Sequence, residues 1–490
     1  MLSRRDVLRM GLVAGAAGTL PLGRLAAIGA EAHAAGAMAG HGIQPALSGR
    51  LAAAVAQAAF QATLPIPPRL QPVSQDATTD YYEIEMRPAV VQIVPGLNTT
   101  IWGYNGLYPG PTIVATEGRR VVVRQTNHLS VDTVVHLHGG HTAPEHDGHP
   151  LDIIAPGQAR DYIYANAQPG CTLWYHDHAN MLTGQNVYRG LAGFYLLTGK
   201  DEAALNLPSG QFDIPLVVQD RQLAADGSLV YSGSLGGVVG NIIVVNGVMQ
   251  PRVDVLRRKY RLRFLNGSNY REYDLTFPAP VTVRQIASDG GLLFKPFPRT
   301  SITLAPAERV EVVVDFSAVP VGSQLVLGNA LGTGTTAQVM RFDVVGNALD
   351  TSTVPNSLRP MEQFGTASVV RDFDLQFENG AWLISHKGFD PNRFDARPKL
   401  GSTEIWRFTD RSGDMHPMHL HLTQFKVLSH SAAPTPPWEL LGLKDTVAVR
   451  ARDTVTLLVP FTTYTGRYVF HCHRLEHEDR DMMSQFLVVP

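Results

Sequence analysis

Ten histidines, one cysteine and one methionine lie in closely spaced groups that could bind metal ions. The groups are His136-x-His138, His176-x-His178, His416-x-x-His419-x-His421 and His471-Cys472-His473-x-x-x-His477, with Met482 five residues further on. Imidazole and thiolate ligands suit copper, zinc and iron. Structural zinc prefers closed sets such as paired Cys-x-x-Cys, and the only cysteines here are Cys171 and Cys472. The donor set therefore favours copper.

The His-x-His spacing has a geometric meaning, because residues i and i+2 of a β-strand face the same side. One such pair is a weak signal, since an ordinary strand can carry two polar residues. Four pairs supply eight imidazoles, which suit three copper ions with open coordination positions. The sequence therefore predicts one shared cluster formed by His136, His138, His176, His178, His419, His421, His471 and His473.

Cys472 lies between two of these histidines and should face the opposite side of its strand. It is predicted to bind a second metal site together with His416 and His477, with Met482 as a weak axial ligand. Two histidines, one cysteine and a distant methionine are typical of a blue-copper electron-transfer site. The short covalent path from Cys472 to its neighbouring histidines predicts electron transfer from this site to the cluster.

Four copper ions could hold the four electrons that convert O₂ to two waters, with the protein supplying ligands, spacing and proton donors. The protons must come from acids close to the cluster. Asp147, in "EHDGHP", and Glu478, next to His477, are the candidates for proton delivery. Either carboxylate could instead be a surface acid or a structural hydrogen-bond acceptor.

The elements that position these residues are predicted to be short strands. The chain has 490 residues, enough for about three or four domains of ~150 residues. A net charge of −2 gives no indication of nucleic-acid or anionic-surface binding. Runs such as "RVVVRQT", "YRLRFLN", "RVEVVVDF" and "RYVFHCH" are rich in β-branched and aromatic residues and are bounded by turns. The predicted fold class is all-β, built of sandwiches.

A weak internal repeat relates the two ends of the chain. "PGCTLWYHDH" (169–178) resembles "TGRYVFHCH" (465–473), and "HLH" at 136–138 recurs at 419–421. The interval from Ala179 to Ser385 contains no histidine. The middle of the chain is therefore predicted to hold no histidine-ligated metal and to act as a spacer or docking unit.

The N-terminus carries a twin-arginine pattern at 3–8, an uncharged stretch from Met10 to Gly23 and A-x-A cleavage sites near Ala32. We expect residues 1–34 to be an export signal, which predicts a periplasmic or extracellular protein. A basic helix or a membrane anchor is the alternative, although the apolar run is short for a span of ~20 residues. Residues 35–71, rich in Ala and Pro, are predicted to be a linker or loosely attached arm.

The segments HLHGG, WYHDH, HPMHLH and HCHRLEHEDRDMM resemble the four copper-binding motifs of the multicopper oxidases. "ALNLPSGQFDIPLVVQDR", "YRLRFLNGS" and "RQIASDGGLL" resemble the branch that holds bacterial spore-coat laccases and bilirubin oxidases. The resemblance covers essentially all of the mature chain. It implies three cupredoxin-like Greek-key β-sandwich domains, at 72–205, 206–355 and 356–490, with the mononuclear copper in the third and the trinuclear cluster between the first and third.

The resemblance also implies a role for each ligand. His416, Cys472, His477 and axial Met482 fall on the mononuclear site, and His136 and His419 on the single cluster copper. The coupled pair is assigned His138, His176, His178, His421, His471 and His473. Asp147 and Glu478 align with acids that assist proton delivery in relatives.

Some residues have no clear ligand role. Cys171 is interpreted as a buried free thiol. His141, His146 and His149 are expected to be solvent-exposed, with an auxiliary copper contact as the alternative. The segment 429–442 is predicted to line the rim near His416. Trp438, within it, either contacts substrate or is a packed loop aromatic.

The predicted function is an exported, monomeric, laccase-like oxidase that takes single electrons from phenols, aromatic amines or tetrapyrroles and delivers them to O₂. One alternative is a metallo-oxidase that oxidises cuprous ion in copper tolerance. Copper-efflux members of the family carry a methionine-rich insertion, whereas this chain has twelve methionines and no such cluster. The other alternative, a copper-free scaffold of the same fold, is disfavoured because every ligand position is filled.

Overall fold

The computed structural model describes residues 47, 49–200 and 202–490. The predicted export signal at 1–34 and the first part of the predicted arm lie outside the described residues. The hydrogen-bonded sheets fall into three successive stretches of the chain, and each stretch holds two sheets around its own apolar core.

The first stretch supplies two of the histidine pairs. Its strands are β1 (Ser74–Gln75), β2 (Thr79–Val91), β3 (Thr99–Tyr104), β4 (Ile113–Thr116), β5 (Arg120–Asn127), β6 (Val135–His138), β7 (Ala159–Tyr164), β8 (Cys171–Asp177) and β9 (Ala192–Thr198). One sheet has the order β1-β2-β5-β7, with β3 paired to β2, and the other has the order β4-β9-β8-β6. Tyr82, Ile84 and Met86 are buried at alternate positions of β2, as expected for a strand with one face on a core.

The middle stretch has a longer sheet and a shorter one. Its strands are β10 (Asp213–Arg221), β11 (Ile242–Val245), β12 (Val248–Met249), β13 (Arg252–Arg257), β14 (Lys259–Asn266), β15 (Tyr273–Thr276), β16 (Thr282–Ser288), β17 (Gly291–Arg299), β18 (Ser301–Leu304), β19 (Arg309–Asp315), β20 (Gln324–Asn329) and β21 (Gln338–Asn347). The sheet orders are β12-β11-β10-β14-β19-β16-β17 and β13-β21-β20-β15-β18. Leu216, Phe264 and Val312 are fully buried between them.

The third stretch supplies the other histidine pairs and Cys472. Its strands are β22 (Val369–Glu378), β23 (Ala381–Ile384), β24 (Ser402–Asp410), β25 (His416–Leu420), β26 (Lys426–His430), β27 (Thr446–Val449), β28 (Thr454–Phe461), β29 (Gly466–Cys472) and β30 (Met483–Val488). The sheet orders are β23-β22-β24-β28-β26 and β27-β25-β29-β30. Trp406, Phe470 and Phe486 form an aromatic centre of the core between them.

Helices are few and short in the residues that the structure describes, and the prediction of an all-β fold is confirmed. They are α1 (Gly49–Ala58), α2 (Thr183–Arg189) and α3 (Leu475–Glu478), with single 3₁₀ turns at Pro144–His146, Glu202–Leu205, Gly210–Phe212 and Gly334–Thr336. Within the described part of the chain, none of the helices has the length and apolar character that crossing a bilayer requires.

Helix α1 corrects the prediction of a linker or loosely attached arm at 35–71 for the part that it covers, Gly49–Ala58. Leu51, Val55 and Ala58 recur at helical spacing and are buried on one face. They pack against a cluster that includes Val94, in the loop between β2 and β3, and Val244 of β11. The apolar stripe was overlooked because the surrounding Ala and Pro residues resemble linker composition.

Candidate metal centre

Strand pairing brings the histidine pairs face to face. In the β6–β8 ladder His136 lies opposite His176, and in the β25–β29 ladder His419 lies opposite His471. Side chains directly opposite each other in antiparallel strands project to the same face of the sheet. Because alternate residues of a strand face the same side, the second histidine of each pair lies on that face as well.

All eight imidazoles of the predicted cluster meet in one buried pocket, which we call the histidine pocket. Three pairs of ring nitrogens approach closely across it: His136 Nε2 and His419 Nε2 at 3.4 Å, His178 Nε2 and His421 Nε2 at 3.1 Å, and His421 Nε2 and His471 Nε2 at 3.3 Å. The rings of His138 and His419 stack at 3.6 Å, and those of His176 and His473 lie 5.2 Å apart. The first and third stretches of the chain thus contribute equally to it.

The other nitrogen of most rings is anchored outside the pocket, where a carbonyl or carboxylate oxygen accepts its proton. This contact fixes the ring and leaves the second nitrogen as an inward-facing donor for a metal. The hydrogen-bonding anchors are Asp147 O for His136 (2.6 Å), Asp177 O for His176 (2.8 Å), Asp445 O for His419 (2.8 Å), Asp147 Oδ2 for His421 (2.7 Å), Cys472 O for His471 (3.2 Å) and Asp445 Oδ1 for His138 (3.0 Å). The Glu478 carboxylate lies at ion-pair distance from His178 Nδ1 (3.1 Å) and His471 Nδ1 (3.0 Å).

The inward nitrogens fit metal ions. His138 Nδ1, His176 Nε2 and both nitrogens of His473 are buried and have no hydrogen-bond partner. A buried polar atom without a partner costs about 1–3 kcal/mol, which coordination of a metal would remove. Burial, followed by the neighbouring imidazoles, holds the pKa of the His138 and His176 rings well below the usual value, so both are neutral ligands.

The ligand atoms also group as several metal ions would require. Three sets of three nitrogens each lie within 4.8 Å of one another: His136 with His138 and His176, His136 with His419 and His421, and His178 with His421 and His471. Nitrogen-only donor sets of this kind suit copper.

A second cluster, which we call the cysteine cluster, lies on the other side of β29. Cys472 Sγ is 3.5 Å from His416 Nδ1 and 3.7 Å from His477 Nδ1, and all three residues are buried. Burial raises the pKa of the Cys472 thiol. The backbone N–H of Arg474 donates a hydrogen bond to Sγ, which offsets part of this rise. Burial, with Arg474 nearby, lowers the pKa of His416 to about 4.

Met482 is buried in the same core as Cys472. Its carbonyl accepts the Cys472 N–H at 3.0 Å, and its own N–H donates to His477 O at 2.9 Å. The structure thus gathers the four residues that the sequence predicts for the mononuclear site.

Both predicted proton-delivery acids border the histidine pocket and are buried. Asp147 Oδ2 lies 2.7 Å from His421 Nδ1, its Oδ1 accepts the Thr142 hydroxyl, and burial raises its pKa to about 8. Glu478 bridges His178 and His471. Burial alone would raise the pKa of Glu478, but these two imidazoles hold it well below the usual value.

Sequence reasoning missed the residues that hold His138 in place. The Asp445 carboxylate accepts from His138 Nε2, and Arg309 binds both oxygens of the same carboxylate, with Nη1 2.7 Å from Oδ1. Arg309 begins β19 of the middle stretch, so this region contributes an arginine to the anchoring of the pocket. The only sequence signal was a charge inside a β-type run, "ERVEVVVDF".

The interpretation of the three loop histidines needs correction. His149 is buried and its Nε2 lies 2.9 Å from Gln485 Oε1 of β30, while His141 and His146 are partly buried. Their exposure was predicted wrongly because the loop packs beneath the last strand.

Cys171 is buried and free, as predicted. Trp438 stacks on Arg299, with 3.6 Å from the guanidinium carbon to the ring centre, which favours the packed-loop alternative.

The sequence and the fold of this chain are both similar to those of known proteins. Residues 85–202 and 364–490 match two family models described as multicopper oxidase. The chain is 36% identical to a laccase of Bacillus stratosphericus over 88% of this chain and 99% of the relative, and 39% identical to a bilirubin oxidase of Albifimbria verrucaria over 87% and 81%. The crystal structure of a laccase from Pediococcus acidilactici Pa5930 superimposes with a TM-score of 0.82 at 31% identity, covering 87% of this chain and 94% of that one.

Proposed function

Because the chain belongs to the multicopper oxidase family, we propose that it is a laccase-like enzyme that oxidises small aromatic donors one electron at a time and reduces O₂ to water. It is an oxidoreductase that uses copper and O₂, and its fold is an all-β, multi-domain cupredoxin fold. The observation that carries the proposal is the position of Cys472. Its sulfur belongs to the cysteine cluster, while His471 and His473, its sequence neighbours, line the histidine pocket.

We assign one copper ion to the cysteine cluster and three to the histidine pocket. His416, Cys472 and His477 would hold the first, with Met482 as axial ligand. The remaining ligands are His136, His138, His176, His178, His419, His421, His471 and His473. When bound, copper would supply one-electron acceptors that together match the four electrons O₂ requires.

The protein's own contribution between the clusters is a short covalent connection in a dry environment. Cys472 is joined by single peptide bonds to His471 and His473, and all three are buried. Burial excludes water from the route and keeps the two clusters at a fixed spacing. This supports the transfer of electrons from a shielded entry site to the pocket.

Proton delivery is assigned to Asp147 and Glu478. Both carboxylates contact imidazole nitrogens on the outer side of the pocket, so each can pass a proton to the region where O₂ would be reduced. Their contacts with His421, His178 and His471 also orient these rings. Each acid therefore both positions ligands and serves proton delivery: Asp147, with its raised pKa, can hold a proton, whereas Glu478, with its lowered pKa, would pass on protons that it accepts from elsewhere.

We further propose export by the twin-arginine route, a monomeric enzyme, and domains at 72–205, 206–355 and 356–490. The separation of the sheets into three stretches supports these boundaries. Replacing Arg4 and Arg5 by lysine should retain the protein in the cytoplasm of a host that uses this route. Export of that variant at the normal level would contradict the assignment of the signal.

The test of the function is O₂ uptake by the copper-loaded protein with 2,6-dimethoxyphenol, bilirubin and Cu(I) as donors. We expect a blue protein that consumes O₂ faster with the phenol or bilirubin than with Cu(I). Faster uptake with Cu(I) than with either aromatic donor would favour the metallo-oxidase alternative. Absence of both colour and O₂ uptake would contradict the proposal.

A further inference from the structure

The cysteine cluster has no side-chain surface of its own through which a donor could give up an electron. His416, Cys472 and His477 each have 0% relative exposure. A donor in solution therefore cannot touch either imidazole, and an electron must first cross another residue. The residues that cover the two rings decide where and how it enters.

Trp382 covers His477 face to face. The two rings are 3.8 Å apart between centroids with an interplanar angle of 19°, and Trp382 also meets the edge of His416 at 5.3 Å. Its indole N–H donates to Leu235 O at 3.0 Å, which fixes the ring in this position. Trp382 thus contacts both imidazoles of the cysteine cluster from one side.

A tight hairpin connects Trp382 with the surface. Asn379 and Gly380 both have positive φ, as a two-residue turn between β22 and β23 requires, and this turn sets Phe377 opposite Trp382. The rings of Phe377 and Trp382 are 4.6 Å apart. Phe377 is 46% exposed and Trp382 is 7% exposed. Consecutive ring contacts therefore lead from the solvent to His477.

The other aromatic neighbour of His477 has a different role. Tyr270 meets His477 edge-on at 5.7 Å, but its hydroxyl donates to Asp414 and its ring stacks under Arg474. Tyr270 is 4% exposed and is tied into a charged network. The Phe377–Trp382 pair is the less constrained and more accessible route.

We propose that Trp382 is the electron-entry residue of this enzyme and that aromatic donors stack on the apolar surface formed by Phe377 and Leu235. This inference rests on the proposed function and names the donor surface of the same site. Both surface residues are large and apolar, and Leu235 is 38% exposed. Such a surface accepts a flat aromatic ring and offers no ligand for a metal ion.

The step balances without a further reagent. A phenol donor loses one electron, which crosses the π system of Trp382 to the cysteine cluster, and releases its proton to solvent. Trp382 ends unchanged. Four such donors match the reduction of one O₂ to two waters, so O₂ is the only oxidant that the route needs.

The test compares Trp382→Leu, which removes the π system, with Trp382→Phe, which keeps a ring. Trp438→Leu is the matched control, because Trp438 packs on Phe297 and Arg299 instead. The measurement is the anaerobic rate at which 2,6-dimethoxyphenol bleaches the blue absorption. We expect about a tenfold slower rate for Trp382→Leu, recovery to within about threefold of wild type for Trp382→Phe, and no change in the control.

Two readouts separate electron relay from a merely structural role. The reduction potential and the blue absorption of Trp382→Leu should match those of wild type, because Trp382 is not a ligand. A wild-type bleaching rate in this variant, or a slower rate that its shifted potential accounts for, would overturn the proposal. If wild type itself is colourless, the proposed function fails instead.

A third readout needs no copper and no turnover. In a Cys171→Ser background, Hg(II) added to the metal-free protein should bind the Cys472 thiolate and quench nearby tryptophan fluorescence. With one equivalent of Hg(II) we expect quenching in this background and clearly weaker quenching when Trp382 is also replaced by Phe. Trp174, which stacks on His176 of the histidine pocket, supplies any quenching that the two proteins share. Equal quenching in both proteins would show that Trp382 is not coupled to the cysteine cluster, and would contradict the proposal.

Discussion

The cysteine cluster and the histidine pocket share strand β29 but are held in opposite ways. The imidazoles of the pocket are anchored by carboxylates and carbonyls, among them Asp147, Asp445 and Glu478. The nearest side-chain partners of the imidazoles of the cysteine cluster are neutral: the Ser412 hydroxyl lies 2.8 Å from His416 Nε2, and Trp382 stacks on His477. The Asp410 carboxylate lies further off, at 3.6 Å from His416 Nε2. The rings of the site that exchanges only electrons thus have neutral nearest partners, whereas the rings of the site that must also receive protons are bound directly by acids.

The two clusters also differ in how much of the chain builds them. The cysteine cluster draws its ligands from 416–482 alone. The pocket needs histidines from both ends of the chain and, through Asp445, an arginine of the middle stretch. Substitutions of the middle-stretch or first-stretch residues that bind or anchor the pocket should therefore affect the pocket and spare the cysteine cluster.

The largest effect is expected for Cys472→Ser. This substitution removes the sulfur ligand of the cysteine cluster, and Cys472 is the residue that connects the two clusters. The blue absorption should disappear and turnover should fall by more than about 1,000-fold, because a hydroxyl is a poor substitute for the thiolate ligand. Metal analysis should still find the copper of the histidine pocket. Cys171→Ser, which removes the other buried cysteine, should keep colour and activity; loss of both there would contradict the separate roles.

Glu478→Gln should damage the pocket and spare the cysteine cluster. The carboxylate anchors His178 and His471, and loss of such an anchor typically costs about 10–100-fold in metal affinity or activity. We expect slower O₂ reduction, with the anaerobic bleaching rate unchanged. Glu476→Gln is the matched control, since this neighbouring buried acid binds Asn269 instead. Equal losses in the two variants would argue against a specific role for Glu478.

Arg309→Met should extend the comparison to the middle stretch. It leaves the buried Asp445 carboxylate without its main partner, and breaking such a pair typically costs about 3–5 kcal/mol of stability. Denaturant unfolding should show this loss, and copper in the pocket should decrease while the blue absorption persists. Arg299→Met is the control, because Arg299 lies in the same middle stretch but stacks on Trp438. It should change neither metal content nor colour. Loss of the blue absorption in Arg309→Met would contradict the separation of the two sites.

The number of protons released on metal binding should show when metal enters the cysteine cluster. Near neutral pH the Cys472 thiol is protonated because burial raises its pKa, whereas His416, with a pKa lowered to about 4, has already lost its proton. Metal binding should therefore release about one proton from the thiol and none from His416. Pulse titration in weak buffer measures this release. It should vanish in Cys472→Ser, and a release that persists in that variant would assign the proton elsewhere.

The smallest effect is expected for Met482→Leu. Removing a weak axial sulfur should raise the reduction potential of the cysteine cluster, since this ligand tunes the potential of blue-copper sites. The blue colour should remain, and turnover should change by less than about tenfold. Spectroelectrochemical titration measures the shift. An unchanged potential would indicate that Met482 acts only in core packing.

How much could be predicted from sequence depended on whether a residue's partners were local. The ligand pairs were visible because alternate residues of a strand share a face, and Cys472 was visible because it lies between two of them. Asp445, Arg309 and Trp382 were not, since each acts on a residue that lies far away in the chain. Their positions depend on sheet packing that local periodicity does not encode.

The errors have the same origin. His149 was expected at the surface because its loop is polar, yet it packs against Gln485 more than 300 residues away. Helix α1 was overlooked because the stripe of Leu51, Val55 and Ala58 lies within linker-like composition. In each case the burying surface comes from a distant part of the chain.

The most direct test of the account is the amount of O₂ consumed in a single reoxidation. The copper-loaded protein is fully reduced without O₂, freed of excess reductant, and mixed with a known quantity of O₂. If the cysteine cluster and the histidine pocket act as one store of four electrons, each chain should consume one O₂, regain its blue absorption and release no hydrogen peroxide. Release of peroxide in proportion to O₂ consumed, or recovery of colour with no O₂ consumed, would contradict the account.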